Sequence, residues 1–170
     1  MDLEKLIRSR RSVRAYDEKP FPEEFLDRIL EAVRLAPTAG NVQAFRVKVV
    51  RDRGTKEALV PACLGQSFIA AAPVILAFMA CPSESKGKYG SRGEKLYSLQ
   101  DATIAVYTAH LMAEELGLGS CWIGAFKDEE VAKVLNLPKD LVPVGLLPLG
   151  YAKDGPSAKK RKELAELLIG

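Results

Sequence analysis

The segment from Leu96 to Leu116 restricts the possible folds more than any other part of the sequence. It is long enough for several helical turns, and it is apolar on more than one side. Such a helix must be covered on more than one side, so we predict the central helix of a domain or the seam of a dimer. The face that we expect to be closely packed consists of Leu99, Thr103, Val106, His110 and Ala113. The other side is kept small by Ala102, Ala105 and Ala109.

The remaining apolar patterns predict further helices and strands. Helical spacing indicates a short helix near the start of the chain and another over residues 23–36, and a third is predicted over 127–135. Valine-rich or continuously apolar runs predict strands at 45–50, 73–79 and 142–149, with an extended segment at 120–123. Residues 81–95 are polar and aperiodic and are predicted to form a loop. Helices and strands mix without strict alternation, which favours an α+β fold in a single domain over residues 1–170.

Composition excludes several classes of protein. The net charge of +3 is too small and too dispersed to indicate nucleic acid as a partner. The three cysteines lack the spacing of a zinc site, and we expect them to be reduced and buried. The N-terminus lacks a signal-peptide profile, and the apolar runs are too short to cross a membrane, so we expect a cytoplasmic protein.

The run Arg10-Arg11-Ser12-Val13-Arg14 places three guanidinium groups and a hydroxyl directly after the first helix. Arginine presents planar, permanently charged forks that match phosphate oxygens in pairs. The run therefore predicts an anion site, and a solvated basic turn is the alternative reading.

Two further segments combine small or polar residues with apolar elements. Pro37-Thr38-Ala39-Gly40-Asn41-Val42-Gln43 follows a predicted helix, and its hydroxyl and amides can bind a heterocycle or a ribityl chain. Cys121-Trp122-Ile123-Gly124-Ala125-Phe126 ends a strand and can bring backbone amides close to a planar ring. An ordinary helix-to-strand turn and a buried strand end are the respective alternatives.

The usual catalytic motifs are absent from the sequence. There is no P-loop, no dinucleotide-binding glycine pattern, no nucleophile elbow and no His-Glu-x-x-His motif. The only histidine, His110, lies in the middle of the long helix, and we interpret it as structural. Cys121 is interpreted as a core residue. Difficult chemistry would then require a cofactor.

The order and spacing of these segments resemble those of the nitroreductase-like flavoproteins. Two further stretches contribute to the resemblance, Gly117 to Gly124 and Leu149-Gly150-Tyr151. The resemblance extends over this chain from residue 8 to about residue 162. The resemblance implies an α+β fold with a central mixed or antiparallel sheet. It also implies FMN bound at the interface of a homodimer.

The resemblance implies a role for each matching residue. Arg10, Ser12 and Arg14, with Arg11 as a further member, would bind the phosphate, ribityl and pyrimidine side of the flavin, and Lys159 and Arg161 would add phosphate ligands. The segment 37–43 would come from the other subunit, and Gln66 would approach the pyrimidine edge. The residues implied for the segment from the other subunit are Pro37, Thr38, Ala39, Asn41 and Gln43. Those implied to lie along the isoalloxazine ring are Trp122, Ile123, Gly124 and Ala125.

The implied activity is an FMN-dependent NAD(P)H oxidoreductase. Hydride would pass through flavin N5 by a ping-pong route to a nitroaromatic, a quinone or a similar electron-poor acceptor. A flavin-destroying or dehalogenating relative and a non-catalytic flavin binder are the alternatives. No catalytic side chain, metal, nucleic acid or membrane is implied.

The sequence departs from the family's pattern in two ways. Ala44 and Phe45 stand where Pro and Trp are frequent, which alters the packing behind the 37–43 segment. The chain is also short, so that only the predicted loop at 81–95 is left to cover the substrate pocket, and we expect an open site.

Overall fold

The computed structural model describes residues 2–156 and 158–169 of the chain. Helices and strands alternate irregularly along it, as the apolar patterns predict. The elements are α1 (Leu3–Ser9), α2 (Glu23–Arg34), a 3-10 turn (Ala39–Asn41), β1 (Phe45–Val50), α3 (Arg53–Ala62), α4 (Phe68–Ala71), β2 (Val74–Ala80), α5 (Pro82–Arg92), a π-helical turn (Gly93–Tyr97), α6 (Ser98–Glu115), β3 (Gly119–Ser120), α7 (Asp128–Val134), β4 (Val142–Gly150) and a second 3-10 turn (Leu164–Glu166).

Within the described residues the strands form one four-stranded sheet in the order β1-β2-β4-β3. Every pairing between neighbouring strands is antiparallel. The register of β2 against β4 shifts between Phe78 and Met79, where the ladder is irregular. The predicted α+β class with a central sheet flanked by helices is confirmed.

The strand β2 is buried along its whole length, and its side chains divide the core into two halves. Leu76 and Phe78 pack with α2 and α6 on one face of the sheet. Ile75 and Met79 pack with α3, α4 and α7 on the other. Because successive side chains of a strand point to opposite faces, a continuously apolar strand needs helices on both sides, and it has them here.

The arginine-rich segment adds to the β3 edge of this sheet. Ser12 forms a parallel bridge with Ser120, and Tyr16 forms an antiparallel bridge with Ala152. The N–H of Val13 donates to the Ser120 carbonyl oxygen at 2.9 Å. A Cβ atom on Gly119 would lie 2.7 Å from a methyl carbon of Val13, so the close approach requires glycine there. The sheet thereby fixes the backbone from which Arg10 and Arg14 project.

The prediction of a loop at residues 81–95 is wrong, because this segment is helical. It forms α5 and the π-helical turn, which leads without a break into α6. The segment has little apolar periodicity because the contacts that hold it are polar and aromatic. Lys86 pairs with Glu94 at 3.0 Å, and the rings of Tyr89 and Tyr97 meet edge to face with centroids 5.1 Å apart.

The packed face expected on the long helix is only partly right. Ala105 and Ala109 are completely buried in the core of the chain itself, and Leu99 is exposed. The small residues let α6 approach the sheet, and three residues of the expected face are buried as predicted: Val106, His110 and Ala113. Ile104 and Tyr107 are also exposed, which leaves a second apolar face without cover from the described residues.

Two helices between β1 and β2 are not anticipated by the patterns. Asp52 caps α3, where its carboxylate accepts from the backbone N–H of Thr55 at 2.7 Å.

Throughout residues 2–156 and 158–169, every helix is too short or too polar to cross a lipid bilayer.

Candidate functional site

The side chain of Arg10 turns towards the long helix. Its Nη1 lies 2.7 Å from Nε2 of His110, and Nδ1 of His110 lies within hydrogen-bond distance of the Ser120 hydroxyl. Both His110 and Ser120 are buried. The arginine segment, α6 and β3 therefore meet at the imidazole ring.

The geometry determines which ring nitrogen of His110 carries a proton. A guanidinium group can only donate, so Nε2 must be the acceptor and His110 must be neutral. Nδ1–H is then left to donate to the Ser120 hydroxyl. Burial, with a smaller contribution from the positive charge of Arg10, lowers the pKa of His110 to about 4.

The thiol of Cys121 lies beside the same arginine segment. Burial raises its pKa, while Arg14, a hydrogen bond with Ser12 and the charge of Arg10 act in the opposite direction. Arg10, Ser12 and Arg14, all predicted site residues, therefore lie close to Cys121, which directly precedes Trp122.

Arg11 points elsewhere and meets the C-terminal tail. It lines a surface depression together with Lys159 and Arg161, and Arg8 and Ile7 complete its wall. Lys159 and Arg161, which are predicted to act together with the arginine segment, therefore lie near its Arg11. The side chains that carry charge in this depression are all cationic, as an anion site requires.

Trp122 and the residues that follow it form the next part of the site. The Trp122 ring lies over β4, where a Cβ atom on Gly145 would come within 3.0 Å of its Nε1. Ile123 is buried and exchanges two backbone hydrogen bonds with Leu146, at 2.9 and 3.0 Å. Gly124 and Ala125 are exposed, so the chain emerges from the sheet at this point.

Gln66 contacts the end of this segment. Its side-chain amide donates to the Ala125 carbonyl oxygen at 3.0 Å and to that of Cys63 at 2.9 Å. The structure therefore brings Gln66 next to Ala125, although 59 positions separate them in the sequence.

The segment 37–43 forms a tight turn with an unusual backbone. Gly40, Asn41 and Gln43 have φ values of 52°, 58° and 57°, in the left-handed region. Asparagine tolerates this region, whereas glutamine there is uncommon. The backbone N–H of Gln43 donates to the Thr38 hydroxyl at 3.1 Å, which helps to hold the turn. Strained backbone of this kind is concentrated at functional sites.

The turn is held against α5 and α6. Asp101 of α6 is buried and accepts a hydrogen bond from the backbone N–H of Ala39 at 2.8 Å. Lys88 of α5 donates to the Gly40 carbonyl oxygen at 2.7 Å, and a Cβ atom on Gly40 would lie 2.0 Å from the Tyr89 hydroxyl. Among the described residues, the second carboxylate oxygen of Asp101 has no hydrogen-bond partner.

Within one chain, the helix α6 separates this turn from the arginine segment. Asp101 holds the turn and His110 holds Arg10, and these two residues are nine positions apart in α6. In an α-helix that spacing corresponds to about 14 Å along the axis and about 180° of rotation. The two groups of predicted site residues therefore lie on opposite sides of α6.

Sequence reasoning did not assign a function to His110, Ser120 or Asp101. For His110 and Asp101 the available signal was an ionisable residue at a buried helical position, which usually needs a hydrogen-bond partner. For His110 that partner is 100 residues away, so the sequence could not identify it.

Comparison with known proteins places this geometry in a family. The sequence model of the nitroreductase family matches residues 7–67 and 61–151. The NADH dehydrogenase of Thermus thermophilus is 32% identical over an alignment of 196 positions, and the match covers 99% of this chain and 96% of that protein. The FMN reductase of Bacillus subtilis, whose name specifies NAD(P)H, is 33% identical over an alignment of 172 positions, and the match covers 92% of this chain and 68% of that protein.

A solved structure agrees with the sequence relatives. The NfrA2 protein of B. megaterium superimposes with a TM-score of 0.91 at 29% identity, covering 98% of this chain and 72% of that one.

The neutral state of His110 predicts a pH dependence of folding stability. Since the folded pKa of about 4 lies below the ordinary value of 6.5, the unfolded chain binds more protons between these limits. We expect the free energy of unfolding to fall by about 3 kcal/mol from this group as the pH drops from 6.5 to 4. Urea unfolding of the wild type and of His110→Gln over this range measures the difference. Equal pH slopes in the two proteins would contradict the assignment.

Proposed function

Because the chain belongs to the nitroreductase family, we propose that it is an NAD(P)H oxidoreductase that works through bound FMN. The observation that carries the proposal is the bridge between Ser12 and Ser120. It sets the cationic segment beside the strand that leads to Trp122. Cations and a hydroxyl suit a phosphate, and an aromatic ring followed by exposed small residues suits a planar heterocycle.

The residues of one chain are proposed to hold one side of the flavin. Arg10, Ser12 and Arg14 would bind its phosphate, ribityl and pyrimidine side, and Arg11 would join the tail cations Lys159 and Arg161 at the phosphate. The all-cationic depression that Arg11 shares with the tail supports this part of the assignment. Trp122, Ile123, Gly124 and Ala125 would lie along the ring. Gln66 would act at the pyrimidine edge through its contact with Ala125.

The other side of the flavin is proposed to come from a second copy of the chain. The turn of Pro37, Thr38, Ala39, Asn41 and Gln43 lies on the opposite side of α6 from Arg10, and this separation favours a site that a second chain completes. A homodimer with the sites at the interface solves this problem. The exposed apolar side chains Leu99, Ile104 and Tyr107 on α6 supply a surface for that contact.

When bound, FMN would supply hydride transfer at N5 between NAD(P)H and an electron-poor acceptor such as a nitroaromatic or a quinone. The side chains of this chain then have to bind and orient the flavin, and solvent can deliver protons to the acceptor. Arg10 and Arg14 also place positive charge next to the site, which stabilises negative charge that develops there. The relatives named FMN reductase and NADPH nitroreductase support this class of reaction.

The absorption spectrum tests for a bound flavin that NAD(P)H can reduce. We expect the purified protein to be yellow, either as isolated or after incubation with FMN and removal of the unbound flavin, and anaerobic NADH or NADPH to bleach it. Nitroaromatic or quinone addition should restore the colour. A protein that stays colourless with FMN would contradict the proposal. A bound flavin that remains oxidised would indicate a carrier, and fragmentation of the flavin during aerobic turnover would indicate a flavin-destroying enzyme.

The cations assigned to the phosphate can be removed one at a time. Arg10→Ala and Arg161→Ala should each weaken FMN binding by about 1.5 to 3 kcal/mol, because each removes a charge-assisted hydrogen bond. Arg28→Ala is the matched control, because Arg28 is exposed on α2 and its substitution changes the net charge by the same amount. Fluorescence titration of flavin-stripped protein measures the affinities. If both variants bind FMN as tightly as the control does, the phosphate assignment is wrong.

Mixed dimers of two variants test whether both subunits contribute to one site. Asn41→Asp keeps a residue that tolerates the left-handed backbone but replaces the amide by a carboxylate. We expect Arg10→Ala and Asn41→Asp homodimers both to bind FMN weakly. A co-expressed heterodimer purified with two tags should bind one FMN per dimer with wild-type affinity, because both changes fall in one of its two sites. A heterodimer without a high-affinity site would place both residues in the same subunit's site.

A further inference from the structure

The contact between Arg10 and His110 joins a guanidinium group to a neutral imidazole. The 2.7 Å distance is that of a direct hydrogen bond, and the imidazole is buried. A carboxylate would cancel the charge of Arg10, whereas a neutral acceptor leaves that charge available to a ligand.

The imidazole is itself held in place from its other side. Nδ1 of His110 contacts the hydroxyl of Ser120, and the carbonyl oxygen of Ser120 accepts from the N–H of Val13. The ring is therefore tied to the same strand pairing that fixes the backbone of the arginine segment. The side chain of Arg10 is thereby fixed at both ends to the same rigid unit, and it loses its rotamer freedom when the chain folds. Less conformational entropy is then lost when a ligand binds.

We propose that His110 is a positioning residue that orients Arg10 towards the flavin phosphate, through the hydrogen-bonded series Arg10, His110 and Ser120. This inference rests on the proposed function, since it takes Arg10 as a phosphate ligand. One N–H of Arg10 is used by His110, and the remaining ones stay available to the anion.

The series can be tested without any flavin. His110 is the only histidine in the sequence, so its two ring nitrogens give unambiguous signals in long-range ¹H–¹⁵N spectra of ¹⁵N-labelled protein. At neutral pH we expect Nδ1 to carry the proton and Nε2 to be a bare acceptor. Arg10→Ala should shift the signals towards the Nε2–H tautomer. A proton on Nε2 in the wild type would overturn the proposal.

The effect on the ligand is tested by comparing FMN with riboflavin, which lacks the phosphate. His110→Leu removes the acceptor and should weaken FMN binding about five- to tenfold, with riboflavin affinity changed less than about twofold. His110→Gln retains an acceptor and should restore most of the FMN affinity. Ser120→Ala leaves the imidazole in place but frees its orientation, and it should give an intermediate loss that is also specific to FMN.

Arg10→Ala separates failure of this inference from failure of the proposed function. If Arg10→Ala loses the preference for FMN over riboflavin and His110→Leu keeps it, His110 does not position Arg10. Equal weakening of both flavins by His110→Leu would likewise overturn the inference, since it would indicate general packing. If Arg10→Ala itself leaves the preference unchanged, the phosphate assignment under the proposed function is wrong.

Discussion

Burial of β2 on both faces determines how the sheet and its helices are layered. A strand with no exposed side needs a layer of helices above and below the sheet, and α6 supplies the centre of one layer. Its small residues let it lie close to the sheet, and this position buries two of its polar side chains. Asp101 and His110 must then find partners, and each takes one from a segment that the sequence marks as functional. The packing of the core thus decides where the candidate site is built.

The predictability of each element follows from the strength of its pattern. The apolar run of β2 and the stripe of α2 at Leu26, Ile29 and Val33 are unambiguous, and both elements lie where they are predicted. The helix α5 has no such stripe. Its stability comes from contacts with the turn that follows, where Gly93 packs so closely on Ser85 that a Cβ atom would lie 2.3 Å from its carbonyl oxygen. Contacts of this kind leave no periodic trace in a sequence.

The same distinction applies to the site. Residue type identifies the arginine segment, the turn at 37–43 and the strand end at Trp122, because charge, amides and small residues indicate chemistry. The pairings do not follow from residue type. Arg11 rather than Arg10 meets the tail cations, and Arg10 is held by a histidine that pattern reasoning assigns to the core. These contacts depend on three-dimensional packing between segments far apart in the chain, and a single sequence contains no measure of that distance.

The backbone of the turn at 37–43 has a consequence for recognition. Its left-handed residues are costly to form, and the contacts from Asp101 and Lys88 keep them in place in the folded chain. The conformational entropy of ordering this turn is therefore lost during folding and not when another molecule arrives. A surface prepared in this way acts as a rigid template, to which a ligand or a second subunit can bind without waiting for the turn to rearrange.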